Sequence, residues 1–329
     1  MNPLVSFLTG RSSRRAIDTI TPIRTFADVV LPPRTRRMLD QAMAEVRNHA
    51  LIFRNWGLGE RHTLGRGLTF NFAGPPGTGK TICAEAVAQA LGMKLLVVNY
   101  AEAESMWAGE TPKNIAGVFR AAGDEGAVLF FDEADAIAAR RSTGTNLPHE
   151  REMNITVNVL LRELESFNGV VIFATNMASN FDPPFERRIR THVLFEMPGE
   201  KQRAEIWRLQ IHPYKTPLAT DVDFLALAKK YDVSGGDIKN AVIKAAAAAA
   251  SEPGSDPGKK IAQRHFEAAM DDVIAARSVM RQSILNSDSI TPSEVLQQAA
   301  IPRFWFATIG ALILAAIALI LSILALLRI

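Results

Sequence analysis

The chain has 329 residues, of which 48% are hydrophobic and 22% are charged. This length suits about two globular domains with an appendage, and the composition is sufficient for a sizeable core. The formal net charge of +3 does not single out a class of partner, and the single cysteine, Cys83, excludes an internal disulfide and suits a reducing compartment.

The N-terminal segment, residues 1–24, is basic, with several arginines and few acids. Such an arm is compatible with contact to anionic lipid, to nucleic acid or to water alone. Its apolar run, residues 4–8, is too short for a secretory signal, and the arginines follow this run instead of preceding it. Because Arg and Ser are abundant there and acids are scarce, a mitochondrial presequence stays open as an alternative.

The next part of the chain, residues 25–197, alternates helical patterns with short apolar runs. Near-continuous apolar strands separated by helices are typical of a sheet covered on both faces, so we predict an α/β fold with a parallel sheet sandwiched by helices. From about Pro198 the strands give way to helical periodicity, which predicts a small all-helical domain over residues 198–285. The predicted strands are residues 68–72, 94–99, 127–131, 170–174 and 192–197.

A glycine-rich motif, GPPGTGKT, follows the first of these strands and opens a helix. In this context the glycines let backbone N–H groups turn toward phosphate oxygens, and the helix N-terminus adds partial positive charge. Lys80 can reach the β and γ phosphates of a nucleotide, and the Thr81 hydroxyl can coordinate Mg²⁺. The predicted phosphate-binding residues are Gly74, Pro75, Pro76, Gly77, Thr78, Gly79, Lys80 and Thr81.

Polar side chains follow two other predicted strands. Asp132 and Glu133 come after the run 127–131, and Asn176 closes the stretch that begins at 170. We predict that Asp132 holds Mg²⁺ through its water shell and that Glu133 acts as the general base on the attacking water. An amide at Asn176 can position the same water. The acid pair indicates hydrolysis, because nucleotide binding alone would not need Glu133.

The order of these motifs resembles that of an AAA-type ATPase, a member of the AAA+ superfamily of P-loop NTPases, over about residues 26–281. The resemblance rests on the Walker A motif, MWAGET, the Walker B run FFDEAD, ATNMASNFDPPFERRIR and YDVSGGDIKNAV. It implies that residues 25–197 are the large α/β ATPase domain and that residues 198–285 are its small helical lid. It also implies ATP and Mg²⁺ as cofactors and a homo-oligomeric ring, a hexamer, with active sites between subunits.

The same resemblance implies roles for individual residues. Asn176 would be the first sensor, and Arg187 and Arg188 would be arginine fingers that reach the γ phosphate of a neighbouring subunit. Gly236 would contact nucleotide near the second sensor, where the family usually has alanine. The segment FADVVL aligns with an adenine-contacting stretch of the family, although it carries valines where other residues are usual.

The stretch MWAGET would form the first pore loop of such a ring. In the family an aromatic residue of this loop points into the central pore and grips an extended polypeptide, which implies a protein substrate. Met106 and Trp107 are both large, apolar and adaptable, as that contact requires. Packing of Trp107 into the core is the alternative. The run at 140–150 resembles a second pore loop.

The C-terminal part carries an uncharged run, residues 304–327, after a linker at 286–303 that contains one short predicted helix. About 20 apolar residues cross the hydrocarbon core of a bilayer, so we predict a transmembrane helix, followed only by the short tail 328–329. A helix buried in an oligomer is the alternative. The ATPase domain of such a tail-anchored protein would face the cytoplasm, where nucleotide is abundant.

Together these features predict a membrane-anchored ATPase that unfolds, threads or remodels protein substrates, helped by an adaptor or by the basic N-terminus. No His-Glu-x-x-His motif is present in the sequence, so we do not expect a fused protease. One alternative is an assembly chaperone that activates a folded partner without threading it, and another is a scaffold with negligible turnover. A nucleic-acid ATPase is the third, which we do not expect because no nucleic-acid motif is recognisable.

Overall fold

The computed structural model describes residues 17–62, 67–99, 111–135, 148–176 and 183–289. The described residues up to Met270 belong to one compact unit. A second unit begins at Asp271, and its described part is the helical stretch 271–289. The domain boundaries expected from the sequence therefore stay predictions.

A six-stranded sheet forms the centre of the first unit, with the spatial order β1-β3-β4-β5-β2-β6. The strands β2 to β6 are mutually parallel, whereas β1 pairs with β3 in the antiparallel direction. The α/β fold with a largely parallel sheet is thus confirmed. The strands are β1 (Ile17–Ile20), β2 (Leu68–Ala73), β3 (Leu95–Asn99), β4 (Val128–Asp132), β5 (Val170–Thr175) and β6 (Thr191–Leu194).

Helices connect the strands and then replace them after β6. A π-helical turn, Leu51–Asn55, and two short 3-10 turns, Phe26–Asp28 and Asp256–Gly258, lie between the α-helices of the described residues. These α-helices are α1 (Pro33–Arg47), α2 (Leu58–Arg61), α3 (Lys80–Leu91), α4 (Thr111–Glu125), α5 (Pro148–Ser166), α6 (Pro183–Glu186), α7 (Glu200–Leu209), α8 (Phe224–Lys230), α9 (Gly235–Ala250) and α10 (Gln263–Ser289).

Two hydrophobic cores lie on opposite faces of the sheet. Successive residues of a strand point to opposite faces, so Phe130 belongs to the core under α1 and α3, while Phe131 belongs to the core under α4 and α5. In the second of these cores the rings of Phe131 and Phe173 stack with centroids 5.1 Å apart. Burial on both faces explains why these strands are continuous apolar runs in the sequence.

Strand β1 was not predicted, because residues 1–24 were assigned to a basic segment. Four of them, Ile17–Ile20, pair with Leu95–Val98 of β3. Just after this strand, the backbone N–H groups of Ile23 and Arg24 donate to the Glu85 carboxylate of α3 at 2.9 and 3.1 Å. The short strand covers the edge of β3, which would otherwise expose a row of unpaired backbone groups.

The helices after β6 form a small core of their own within the first unit. The indole of Trp207 is fully buried and meets Phe266 edge to face, with centroids 5.6 Å apart. The Arg203 guanidinium, also buried, donates to the carbonyls of Ala228 and Pro198 and to the Asp232 carboxylate, at 3.0, 2.7 and 2.6 Å. These bonds tie α7 to the end of α8 and to the segment that leads out of the sheet.

Several predicted segments lie outside the described residues. These are the pore-loop residues Met106 and Trp107, residues 140–147 of the second pore-loop run, the transmembrane span 304–327 and residues 1–16 of the N-terminal arm. Within the described residues no helix combines the length and apolarity that a membrane crossing requires. Helix α10 continues to Ser289, which is beyond the predicted lid boundary at 285.

Candidate active site

The phosphate-binding loop connects β2 to α3, and glycine backbone angles and an internal hydrogen bond define its conformation. Gly77 and Gly79 have φ angles of +77° and +98°, a region that side chains with a Cβ atom rarely occupy. The Thr78 hydroxyl donates to the Pro75 carbonyl at 2.7 Å, which closes the turn. The loop therefore delivers the N-terminus of α3 to the carboxyl edge of the parallel strands, where free N–H groups favour an anion.

Lys80 is the first residue of α3, and only 8% of its surface is exposed. Its ammonium donates to the carbonyls of Gly74 and Pro75 at 2.6 and 3.0 Å and to Asn176 Oδ1 at 2.9 Å. Burial lowers the pKa of Lys80, while the nearby Asp132 and Asp135 carboxylates act in the opposite direction. The structure thus brings together the amine and the amide that the sequence predicted for one site.

The end of β4 places two predicted acids beside the loop. The Thr81 hydroxyl donates to Asp132 Oδ2 at 3.3 Å, and the Glu133 backbone N–H donates to Asp132 Oδ1 at 3.0 Å. Glu133 is exposed, and its φ of +53° makes it the one non-glycine residue with a positive φ among those that the structure describes. Backbone strain of this kind costs roughly 1–3 kcal/mol and concentrates at functional sites.

The N-terminus of α9 lies directly against the phosphate-binding loop. The Gly236 N–H donates to the Gly77 carbonyl at 3.0 Å, and a Cβ atom at Gly236 would lie 3.1 Å from Gly77 Cα. Ser234 begins the helix in a capping box with Asp237, in which the Ser234 hydroxyl accepts the Asp237 N–H at 3.2 Å. Glycine at 236 therefore permits a close contact between α9 and the loop, which a side chain at this position would crowd.

A cleft of about 430 Å³ lies between these elements. Ligand pockets of roughly 300–1,000 Å³ are typical for small molecules and cofactors, so the size suits a nucleotide. Val29 and Val30 of the FADVVL segment, whose contacts with adenine the sequence left open, line it. The sequence did not indicate the contributions of Ile206, Leu209 and Lys239, which also line the cleft, because they come from α7 and α9 and carry no motif.

The two predicted arginine fingers differ in their surroundings. Arg188 is half-buried and donates through Nε and Nη2 to the Glu165 carboxylate of α5 and through Nη1 to the Pro184 carbonyl. Arg187, its neighbour, is exposed. Arg188 is thus engaged within its own chain, whereas Arg187 faces solvent.

One residue of the site was missed by the sequence reasoning. Asp135, the last acid of the DEAD run, accepts hydrogen bonds from Thr175 and Asn176 at the end of β5. The run of acids itself was the available signal, but an acid just after a predicted strand is also explained by an ordinary role as a helix cap.

Comparisons with known proteins agree with this geometry. Residues 70–197 match the family described as "ATPase family associated with various cellular activities (AAA)". The chain is 37% identical over 214 residues to "ATP-dependent zinc metalloprotease FtsH 3" of Sphaerobacter thermophilus, a match that covers 63% of this chain and 42% of that protein. It is 33% identical over 277 residues to "ATP-dependent zinc metalloprotease FtsH 4" of the same organism, covering 82% and 40% of the two chains.

An archaeal protein is also similar to this chain. The "Cell division cycle protein 48 homolog" of Archaeoglobus fulgidus is 37% identical over 220 residues, which is 61% of this chain and 29% of that protein. The matches to these three relatives thus span between 29% and 42% of the relatives' length. The residues that match the family, 70–197, contain the phosphate-binding loop and the acids of β4, so the chain contains an AAA ATPase domain and is an ATP hydrolase.

Proposed function

We propose that the protein is a membrane-anchored ATPase that assembles into a ring, a hexamer, and uses ATP hydrolysis to unfold, thread or remodel protein substrates. The cleft carries the argument for the ring. Of the described residues that line it, none is an arginine. Phosphoryl transfer gains roughly 10³–10⁵-fold from an arginine supplied in cis or in trans. Arg187, exposed on the same domain, would supply that charge to the cleft of a neighbouring subunit.

The residues of the cleft suit ATP with Mg²⁺. The Thr81 hydroxyl and the Asp132 carboxylate lie 3.3 Å apart beside the phosphate-binding loop, and hard oxygen ligands are those that Mg²⁺ prefers. These two residues would hold the ion, which neutralises phosphate charge when bound. Glu133 would take the proton of the attacking water, and the Asn176 amide would orient that water. Lys80 would move from its own loop carbonyls to the phosphate oxygens.

Mixing inactive subunits tests the ring and the role of Arg187. Lys80→Ala and Arg187→Ala should each abolish ATP turnover alone. In an equal mixture about a quarter of the sites should combine an intact Lys80 with an intact Arg187 of the neighbour, and activity should return accordingly. The matched control mixes Lys80→Ala with Glu133→Gln, which damage the same subunit's site and should not complement. An Arg187 mixture as inactive as this control would refute the trans arrangement.

A protein substrate is supported by the names of the two FtsH relatives, which describe ATP-dependent metalloproteases, and by the predicted pore loop. Among the described residues no group of three or more His, Cys, Asp or Glu side chains could hold a metal ion, and proteolysis is not part of the proposal. Trp107→Ala should retain ATP turnover and lose the unfolding of a fluorescent folded substrate. Equal unfolding by this variant and the unchanged protein would instead favour the non-threading chaperone.

Membrane attachment through residues 304–327 is tested separately. The full chain should float with liposomes and resist extraction at alkaline pH, with its ATPase domain accessible to protease on the cytoplasmic side of isolated membranes. Release of the full chain by alkali would refute the anchor without touching the ATPase assignment.

A further inference from the structure

The Asp135 carboxylate accepts hydrogen bonds from residues at the end of β5. Its Oδ1 accepts the Thr175 hydroxyl and the Asn176 backbone N–H, the latter at 2.9 Å. Its Oδ2 accepts from Asn176 Nδ2 at 3.4 Å. Both oxygens are therefore engaged by Thr175, the last residue of β5, and by Asn176, which follows it and also contacts Lys80.

These contacts fix which way the Asn176 amide faces. Its Nδ2 end lies against Asp135, and its Oδ1 end accepts from the Lys80 ammonium at 2.9 Å. A carboxylate only accepts hydrogen bonds and an ammonium only donates them, so both neighbours demand the same orientation of the amide. The acceptor end of Asn176 is thus held toward the phosphate-binding loop, and the donor end is held away from it.

We propose that Asp135 is a positioning residue for ATP hydrolysis, which keeps the Asn176 oxygen directed at the phosphate-binding loop. In that orientation the amide oxygen can accept a hydrogen bond from the attacking water. Asp135 does not line the cleft, so it would influence the attacking water through Asn176 and not by direct contact. The inference rests on the proposed role of Asn176, and its test separates the two.

Asp135→Asn in the full-length protein is the main variant. Asparagine has the same shape and keeps an acceptor for Thr175 and for the Asn176 N–H, but its amide nitrogen would face Asn176 Nδ2, donor against donor. When Lys80 has moved to the phosphate oxygens of bound ATP, the Asn176 amide has lost both restraints, so it turns and its NH₂ group faces the phosphate-binding loop. Misplacement of one positioning group costs about 10²-fold in rate, so kcat should fall by about 10²-fold while the KM and the dissociation constant for ATP stay nearly unchanged.

Two controls identify the route of the effect. Thr175→Val removes one donor to Asp135 and leaves the contact with Asn176 Nδ2, so it should lower thermal stability and spare kcat. Asn176→Ala should lower kcat by itself, and Asp135→Asn should then add nothing, because the group through which it acts is gone. A role that is merely structural would instead lower kcat in both backgrounds.

The outcomes test the proposed role of Asn176 and the positioning role of Asp135 separately. If Asn176→Ala turns over ATP at the unchanged rate, the proposed role of Asn176 fails, and the inference fails with it. If Asn176→Ala is slow but Asp135→Asn is fast, or if the two losses multiply, the positioning role is overturned while the ATPase mechanism stands. The unfolding midpoint shows whether the Asp135→Asn variant folds. If it does not, Asp135→Ser replaces it in the comparison with Asn176→Ala, because serine keeps a hydroxyl acceptor but loses the contact with Asn176 Nδ2.

Discussion

The contact between α9 and the phosphate-binding loop predicts a large and specific effect of Gly77→Ala on stability. Gly77 has a φ of +77°, and a Cβ atom built on it would lie 2.5 Å from Ser234 Oγ and 3.1 Å from Ser234 Cβ. Gly79 is the matched control, because its φ is +98° but the nearest atom to its Cβ would be Val29 Cγ1 at 4.0 Å. Both substitutions strain the backbone, and only the first collides with α9.

The expected losses in the free energy of unfolding follow from backbone strain and from steric overlap with Ser234. Backbone strain at a positive φ costs about 1–3 kcal/mol for either alanine. Overpacking against Ser234 adds about 1–3 kcal/mol for Gly77→Ala alone, so the free energy of unfolding should fall further than for Gly79→Ala by that amount. Ser234→Gly removes the obstructing side chain and, as an N-cap replacement, costs only a few tenths of a kcal/mol itself. The double variant should therefore recover the excess.

Urea unfolding followed by tryptophan fluorescence measures the unchanged protein and the four variants without nucleotide, with Trp207 as a buried reporter in the helical part. The expected coupling between Gly77→Ala and Ser234→Gly is about 1–3 kcal/mol, in the direction of rescue. Equal losses for the two glycine variants, or strict additivity in the double variant, would refute the reasoning. The helix α9 would then not rest on the loop in solution.

Three further predictions concern single side chains. The Cys83 thiol is fully buried, and burial raises its pKa to about 12. Its alkylation at pH 8 should therefore be at least about 10³-fold slower than that of a free thiol, and ATP with Mg²⁺ should slow the reaction further. Labelling at the rate of a free thiol would contradict this burial. Arg188→Ala should lower the unfolding midpoint because it breaks the bonds to α5, whereas Arg187→Ala should leave the midpoint unchanged and lose only ATP turnover; calorimetry and an ATPase assay separate the two. Arg203→Ala leaves buried carbonyls without their donor and should lower the free energy of unfolding by about 2–3 kcal/mol. Arg208 is exposed on the same helix, so Arg208→Ala should lower it by less than about 0.5 kcal/mol. Similar urea midpoints for the two variants would contradict the role of Arg203.

The fold was predictable where a local pattern decides it. The run 127–131 is apolar throughout because β4 is buried on both faces, and that signal was sufficient to place the strand. Strand β1 has four residues with two polar ones at its centre, and its partner β3 lies more than 70 residues along the chain. No pattern in so short a segment reveals that long-range pairing, so propensity alone leaves it as an arm.

The features of the site also fall into two groups: those that a local sequence pattern predicts and those that depend on tertiary packing. Residues 74–81 are contiguous, and their glycines and lysine indicate phosphate binding before any tertiary structure is known. The resemblance places Gly236 near the nucleotide, but its contact with Gly77 and the engagement of Arg188 by Glu165 depend on how separate elements pack, so no local pattern predicts these contacts. The Asp135 contacts are of this second kind as well, because they need the registry of β4 and β5.

The contacts of Lys80 lead to a final prediction about the order of events at the site. Without nucleotide its buried ammonium is held by two loop carbonyls and by Asn176 Oδ1, and burial alone disfavours its charged form. Phosphate oxygens compensate that charge better than carbonyls do, so ATP should draw Lys80 away and free Asn176 Oδ1 for the attacking water. Structures with ADP and with a non-hydrolysable ATP analogue test this: the bond of 2.9 Å between Lys80 and Asn176 should be absent with the analogue. Its persistence there would leave the Asn176 oxygen engaged, and a different group would have to orient the water.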